Sequence, residues 1–326
     1  MRWRSPFRSE PPPPALLAGP CALGLQGGGA HGAFAWGVLD RLLEEEDFQP
    51  AAVSGASAGA VNAVALAWGL LQGGRAGARE TLARIWSDIG KLSAFSPMGL
   101  PGADMQFDLM TRVLSPYQFN PLNLNPLRDI LAGLVDFERL RQAAPLPLFI
   151  ATTHVPSGDV RIFREHELTL EVLMASTCIP SMHQAVEMDG EPYWDGGFSA
   201  NPPILPMVLD TDCRALLVVK LTPDQEDGAP VAAPDIFSRL RRILFNAPLQ
   251  RELDALRDIG KAAAEGGRPP PKLARLRDLE VRTLAIGPEF FQKPKGSALD
   301  PKPQMLERLF QAGRAKAQTL IDSLAD

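Results

Sequence analysis

Two glycine-rich stretches, each placed between an apolar run and a helical pattern, constrain the fold of this chain most strongly. The first is "CALGLQGGGAHGAFAWGVLD" at residues 21–40, and the second is "AAVSGASAGA" at residues 51–60. In both, a short buried strand is followed by a loop of small residues and then by a helix. Units of this kind that repeat along a chain are typical of a parallel sheet with helices on its faces. The sequence therefore predicts an α/β fold with a mostly parallel central sheet.

The rest of the chain continues this alternation. Further strands are predicted from short apolar runs at residues 146–153, 214–221 and 279–286. Helices are predicted from apolar periodicity at residues 31–46, 58–71 and 303–325. Because a strand still follows the last proline-bearing linker, the C-terminal part is expected to return to the same sheet.

We expect one folded domain over residues 21–326, of which residues 207–326 complete the sheet. Residues 1–20 contain four consecutive prolines and are predicted to form a flexible leader. This leader has no apolar segment of the kind found in secretion signals. Residues 75–145 carry prolines at positions 97, 101, 116, 121 and 126 and are predicted to be a mostly helical insertion.

Composition excludes several classes of function. The net charge of -5 gives no basic excess for nucleic acid, so we expect no nucleic-acid partner. Three cysteines without CxxC spacing argue against a disulfide framework and a structural zinc site. No segment approaches 18 uninterrupted apolar residues, which excludes a spanning helix. We expect a cytoplasmic protein, in contact with membranes at most peripherally, and the sequence does not indicate its oligomeric state.

The first glycine loop fits two kinds of site. Gly27, Gly29 and Gly32 satisfy G-x-G-x-x-G between a strand and a helix, as a dinucleotide-binding turn requires. That turn also needs an acidic residue at the end of the second strand, where this chain reads "VSGASAGA". A dinucleotide-binding oxidoreductase is therefore the less favoured alternative.

The second loop predicts a nucleophile. Ser57 is the serine of a G-x-S-x-G pattern between a strand and a helix, which is the context of a nucleophile elbow. The positive end of the following helix would stabilise the oxyanion that forms after attack. The loop after the first strand ends at the same edge of the sheet as this serine. The backbone N–H groups of Gly27, Gly28 and Gly29 in that loop are therefore candidate oxyanion-hole donors.

A serine nucleophile also needs a base. The chain has four histidines, and the "DGG" at residues 195–197 offers a carboxylate instead, Asp195. Two glycines after Asp195 allow a sharp turn that exposes the carboxylate, although a plain turn explains the same residues. The residues alone leave the choice of base open.

Taken together, the motifs "GGGAHG", "GASAG", "ASTCIP" and "DGG", in this order, resemble those of the patatin-like phospholipases. The resemblance covers roughly residues 21–206. It implies a three-layer α/β/α fold and a serine lipid acyl hydrolase in which Ser57 attacks an acyl ester and Asp195 accepts its proton. It also implies an oxyanion hole at the glycine loop, an acyl-enzyme intermediate, and no requirement for a metal or another cofactor.

Three accessory positions and the substrate stay open. The family commonly has Lys or Arg at the position of His31, so an acyl lipid other than a phospholipid, or a simple ester, also fits. His183 stands where the family often has an apolar residue, and Ala58 follows the nucleophile. A catalytically silent lipid-binding scaffold is the second alternative.

A basic segment suggests contact with a membrane. Residues 236–277 hold ten Lys or Arg against four Asp or Glu, and Ile236, Phe237, Leu240 and Leu244 line one side of the predicted helix. This pattern fits docking to anionic lipid. It fits equally a solvated basic face whose apolar stripe packs on the core.

Overall fold

The computed structural model describes residues 15–94, 113–223, 225–226, 228–265, 270–291 and 301–325. The strands are β1 (Pro20–Leu25), β2 (Gln49–Gly55), β3 (Leu148–His154), β4 (Val160–Arg164), β5 (Val186–Met188), β6 (Glu191–Asp195), β7 (Ala215–Lys220) and β8 (Glu280–Ala285). The α-helices are α1 (Ala15–Ala18), α2 (Gly32–Leu42), α3 (Ala58–Ala94), α4 (Pro116–Phe119), α5 (Pro126–Leu134), α6 (Phe137–Ala143), α7 (Leu170–Ser176), α8 (Leu205–Asp210), α9 (Ala233–Glu265), α10 (Pro271–Arg277) and α11 (Pro303–Ala325).

One mixed sheet holds the strands in the spatial order β5-β6-β3-β2-β1-β7-β8, with β4 paired to β3. The pairings among β3, β2, β1, β7 and β8 are parallel, whereas β4, β5 and β6 pair in the antiparallel sense. The prediction of an α/β fold with a mostly parallel sheet is confirmed. The antiparallel strands are not predicted, because they are short and charged residues interrupt their apolar pattern.

Helices cover both faces of the sheet. In β7, Leu217 and Val219 join the core that contains helices α2, α3 and α11, whereas Leu216 and Val218 join the core that contains α8 and α9. Successive side chains of a strand point to opposite faces, so a strand that is buried on both sides reads as a continuous apolar run. This arrangement gives the three layers that the family resemblance implies.

The insertion begins inside a long helix. Helix α3 extends well beyond the predicted residue 71, with a break in helical geometry at Gly73 and Gly74, where Gly74 has a φ of 60°. Helices α4, α5 and α6 follow, so the described part of the insertion is mostly helical. Residues 95–112 of the insertion lie outside the described residues.

The folded chain starts earlier than residue 21. Leu16 in α1 is fully buried, and Pro20 is the first residue of β1. The predicted boundary of the leader therefore lies too far along the chain, because a short apolar segment before β1 packs into the core. Residues 1–14 of the predicted leader lie outside the described residues.

Candidate active site

Ser57 occupies the tight turn between β2 and α3, where the G-x-S-x-G pattern predicts an elbow. Its φ of 53° is unusual for a residue with a side chain, and such a conformation costs about 1–3 kcal/mol. Only glycine fits at position 59, because a Cβ there would lie 1.9 Å from the Leu25 carbonyl oxygen. The Ser57 N–H donates to the carbonyl and hydroxyl oxygens of Ser176, both at 3.1 Å. These contacts fix the serine at the N-terminus of α3.

Asp195 is the last residue of β6, and its backbone is anchored on both sides. Its N–H donates to the Cys178 carbonyl oxygen at 2.8 Å. Its carbonyl oxygen accepts a hydrogen bond from the Thr153 hydroxyl at 2.8 Å. The side-chain Oδ1 accepts from the Gly197 N–H at 2.7 Å, which closes the DGG turn. The carboxylate therefore has a fixed position at the end of the strand.

Strand β3 brings Asp195 and the elbow together. Because β4 occupies one edge of β3 over residues 149–153, β2 and β6 share the opposite edge. On that edge, Gly55 of β2 lies opposite Ile150 of β3, and Asp195 of β6 lies opposite Thr152, two residues further along β3. Two residues of a strand span about 7 Å. This register places the carboxylate beside Ser57, which follows Gly55 by two residues.

Burial sets the pKa of the Asp195 carboxyl group. The side chain is fully buried, and burial raises its pKa from 3.8 to about 7, while the Ser57 hydroxyl and the Gly197 N–H lower it. The Ser57 hydroxyl thus acts on the carboxylate, although Oδ2 makes no hydrogen bond of normal geometry to any described residue. A carboxyl group with a pKa near neutrality suits a general base.

The glycine loop touches the elbow through Gly27. A Cβ on Gly27 would lie 2.7 Å from both the Ala56 carbonyl oxygen and the Ser57 Cβ. The Gly27 N–H donates to Asn201 Oδ1 at 2.7 Å. This N–H is therefore already engaged, unlike the free donor that the sequence pattern predicts. Among the described residues, neither the Gly28 N–H nor the Gly29 N–H finds a hydrogen-bond acceptor.

Two buried amide side chains that the sequence analysis missed hold this loop. Asn201 is fully buried, and its Nδ2 donates to the Phe245 carbonyl oxygen at 2.9 Å. Gln26 is also fully buried; its Oε1 accepts from the Leu221 N–H at 2.7 Å, and its Nε2 donates to Asn246 Oδ1 at 3.4 Å. Both are polar residues in apolar surroundings, which is a weak signal in the sequence. They connect the loop to helix α9.

His31 lies in a 3-10 helix directly after the glycine loop and is almost fully buried. Its ring meets that of Phe291 edge-on, with the centroids 4.8 Å apart. Burial, with smaller contributions from Arg242 and Arg241, lowers its pKa from 6.5 to about 4. The imidazole is therefore neutral at physiological pH and does not supply the charge of the Lys or Arg common at this position.

The other two accessory positions are Ala58, which is next to Ser57, and His183, which lines a separate cavity. Ala58 is the first residue of α3, so its N–H has no partner within the helix. His183 lines a small cavity of about 50 Å³ together with Cys178 and Met174, and burial lowers its pKa. Cys178 lines this cavity and its carbonyl oxygen accepts the Asp195 N–H, so one residue connects the cavity to the DGG turn.

Within the part of the chain that the structure describes, the site contains no arrangement typical of a metal centre. Among the residues described by the structure, no three His, Cys, Asp or Glu side chains are grouped to hold a metal ion. In the same residues, no helix is long and apolar enough to cross a membrane.

Comparison with known proteins places these motifs in context. The family model described as patatin-like phospholipase matches residues 23–208. None of the curated proteins matches the chain. The fold is similar to VipD from Legionella pneumophila, at 16% identity and a TM-score of 0.46, covering 93% of this chain and 67% of VipD. It is also similar to full-length ExoU from Pseudomonas aeruginosa, solved with SpcU, at 18% identity and a TM-score of 0.33, covering 92% of this chain and 53% of ExoU.

Proposed function

Because the chain belongs to the patatin-like phospholipase family, we propose that it is a serine hydrolase of acyl lipids with Ser57 and Asp195 as a catalytic dyad. The observation that carries this proposal is the pairing of a serine at a strained elbow with a buried carboxyl group. The Ser57 hydroxyl contributes to the pKa of Asp195, which burial raises to about 7. A base with this pKa is partly ionised at neutral pH and can accept the serine proton.

In the acylation step, Ser57 Oγ attacks the carbonyl carbon of a fatty-acyl ester. The hydroxyl proton passes to Asp195 Oδ2, the oxygen that the Gly197 N–H does not bind. The tetrahedral intermediate then collapses, the alcohol departs with the proton from Asp195, and the acyl group stays on Ser57. Water then attacks the acyl carbonyl carbon while Asp195 accepts one of its protons, the acyl–Oγ bond breaks, the proton passes from Asp195 to Ser57 Oγ, and the fatty acid is released.

The oxyanion is stabilised by backbone donors. We assign this role to the N–H groups of Gly28 and Gly29, because the Gly27 N–H donates to Asn201. The Ala58 N–H lies at the N-terminus of α3, where the helix dipole favours negative charge. No step needs a metal, another cofactor or a histidine.

The substrate is an acyl ester of a lipid. His31 is neutral and places no permanent positive charge beside the glycine loop. This side chain therefore gives the site no preference for a phosphate-bearing head group. Phospholipids and other acyl esters therefore share the same chemistry at Ser57.

Labelling with a fluorophosphonate tests the nucleophile, and hydrolysis of p-nitrophenyl esters of several chain lengths tests turnover. Ser57→Ala should lose both, and Asp195→Asn should lose turnover. Ser54→Ala is the matched control, since Ser54 is a buried serine on β2, the strand that leads to the elbow, and its hydroxyl donates to the Pro203 carbonyl oxygen. Labelling that persists in Ser57→Ala would falsify the assignment. A wild type with neither labelling nor turnover supports the catalytically silent lipid-binding scaffold instead.

A further inference from the structure

Phe245 on helix α9 contacts both halves of the candidate active site, and the catalytic proposal assigns it no role. Its main-chain carbonyl oxygen accepts a hydrogen bond from Asn201 Nδ2 at 2.9 Å, and Asn201 Oδ1 accepts the Gly27 N–H at 2.7 Å. Its side chain lies against the DGG turn instead. The backbone and the ring of one residue thus serve the glycine loop and the Asp195 turn separately.

The Phe245 ring leaves no space for water at Gly197. A Cβ on Gly197 would lie 2.5 Å from the ring and 3.0 Å from Asp195 Oδ1. An atom in contact with a ring carbon lies about 3.5 Å away from it. No water molecule therefore fits between the ring and this carboxylate oxygen, which the Gly197 N–H already binds at 2.7 Å.

The other side chains around the turn are small. Ala56, Ala151 and Ala200 form a buried cluster beside it. A Cβ on Gly196 would overlap the Ala151 carbonyl oxygen, so backbone and methyl groups close the turn on the side of the sheet. Phe245 is partly exposed and closes the turn on the side of the solvent.

The turn itself holds this ring in place. Phe198 meets the Phe245 ring edge-on, with the centroids 4.9 Å apart, and such contacts favour one relative orientation of the two rings. Phe198 belongs to the same 3-10 helix as Gly197, directly after Asp195. The position of the ring is therefore coupled to that of the carboxylate.

Removal of water is what makes Asp195 a base near neutrality. A carboxyl group without water around it disfavours its charged form. Burial raises the pKa of Asp195 from 3.8 to about 7, whereas the Ser57 hydroxyl and the Gly197 N–H lower it. Because Phe245 is the large apolar side chain against the turn, its ring accounts for a substantial part of this burial.

The ionisable groups on the elements around the turn are neutral, paired or exposed. They are the Cys178 thiol after α7, His154 on β3, and Arg241, Arg242 and Glu252 on α9. Burial raises the pKa of the Cys178 thiol to about 12, so it is neutral. Arg242 pairs with Glu226 at 2.6 Å, and His154 binds Glu191 at 3.0 Å. Glu252 accepts the backbone N–H groups at the start of α8, and Arg241 is exposed.

We propose that Phe245 is a positioning residue whose ring excludes water from Asp195 and so makes this carboxyl group an effective base at neutral pH. That Asp195 is the base rests on the proposed function, whereas the exclusion of water does not.

The pH dependence of kcat/KM for a soluble short-chain p-nitrophenyl ester tests the proposal. Phe245→Ala removes the ring but keeps the main-chain carbonyl oxygen that binds Asn201. Water then reaches Asp195, and the midpoint of the pH dependence should fall by at least about one pH unit. Phe245→Met supplies another large apolar side chain and should restore most of this shift.

Two further variants separate the exclusion of water from a loss of packing. Leu249→Ala is the matched control, because Leu249 lies one turn further along α9 and is fully buried in the core that contains Leu216. It should lower the free energy of unfolding without a change in the midpoint. Phe245→Gln fills the space with a polar side chain and should lower the midpoint, which keeps the test open if the alanine variant folds poorly.

An unchanged midpoint in both Phe245→Ala and Phe245→Gln contradicts the proposal. So does an equal shift in Leu249→Ala, because loss of packing anywhere on α9 would then explain the effect. A shift that Phe245→Met does not reverse also counts against the exclusion of water by an apolar side chain.

The pH dependence of stability separates this inference from the proposed function. Asp195→Asn is introduced into the wild type and into Phe245→Ala, and urea unfolding measures the gain in the free energy of unfolding at pH 4 and pH 8. The gain should grow less with pH in the Phe245→Ala background, since the carboxyl group there is already hydrated. Equal growth in the two backgrounds overturns the inference. Smaller growth in a protein that hydrolyses no ester would contradict the catalytic proposal alone.

Discussion

Replacing Asp195 with asparagine tests whether the candidate base lowers the stability of the fold at neutral pH. Asparagine has nearly the same shape, and its Oδ1 can still accept the hydrogen bond from the Gly197 N–H, which is 2.7 Å from Asp195 Oδ1. The substitution removes the negative charge that Asp195 carries in a fully buried position. We therefore expect Asp195→Asn to be inactive and more stable than the wild type at pH 8.

The pKa gives the size and the pH range of this effect. Burial raises the pKa of Asp195 from 3.8 to about 7, so between these values the folded protein holds a proton that the unfolded chain has released. The free energy of unfolding is unaffected by this group below about pH 4, falls as the pH rises, and stops falling above about pH 7. About three pKa units correspond to a loss of up to about 4 kcal/mol.

Urea unfolding of both proteins at pH 4 and pH 8 measures this loss. The difference in the free energy of unfolding between Asp195→Asn and the wild type should grow by about 2–4 kcal/mol from pH 4 to pH 8. Ser57→Ala is the control, because it is also inactive but retains the buried carboxyl group. A difference that does not change with pH, or an equal gain in Ser57→Ala, would refute the reasoning.

Three further substitutions test the scaffold of the site, and a fourth, Gly133→Ala, is the control for the first of them. Gly59→Ala should lower the free energy of unfolding by more than about 3 kcal/mol. At Gly133, an added Cβ would have no atom within 4 Å, so Gly133→Ala should raise the free energy of unfolding by about 0.5–1 kcal/mol. Urea unfolding of both variants and the wild type measures the two changes. Asn201→Ala should reduce the kcat for a short-chain ester at least about tenfold, and an unchanged kcat contradicts the role of its 2.7 Å bond to the loop. Burial lowers the pKa of His31 from 6.5 to about 4. Between these values the unfolded chain binds a proton that the folded protein does not, so the free energy of unfolding decreases as the pH falls from about 6.5 to about 4. His31→Gln removes this decrease and should shift the midpoint of acid unfolding to lower pH; an unshifted midpoint contradicts the buried, neutral imidazole.

The sequence predicts the elbow well because its determinants are local. Gly55, Ser57 and Gly59 lie within five residues of one another. The two glycines have no room for a side chain, because β2, α3 and the end of β1 approach closely at this turn. The predicted centres of β1, β3 and β7 agree with the structure for a similar reason, since burial on both faces leaves an unbroken apolar run.

The partners of the glycine loop depend on contacts that are remote in sequence. Asn201 reaches Gly27 across 174 positions, and Gln26 reaches Leu221 across 195. No local pattern specifies such pairs, so the sequence assigns the Gly27 N–H to a substrate oxygen when it in fact binds Asn201. The antiparallel strand β6 is missed as well, and it is β6 that sets the register of Asp195 against β3.

Activity and stability should oppose one another through a single titration. The proposed base acts only when Asp195 is ionised, so kcat/KM should rise with pH and level off above the pKa of about 7. Ionisation of the same buried carboxyl group destabilises the folded state, and that loss is complete at the same pH. The pH at which kcat/KM stops rising should therefore match the pH at which the Asp195-dependent part of the unfolding free energy stops falling. If the two plateaus lie at clearly different pH values, another group is the base, because one carboxyl group has one pKa in the folded protein.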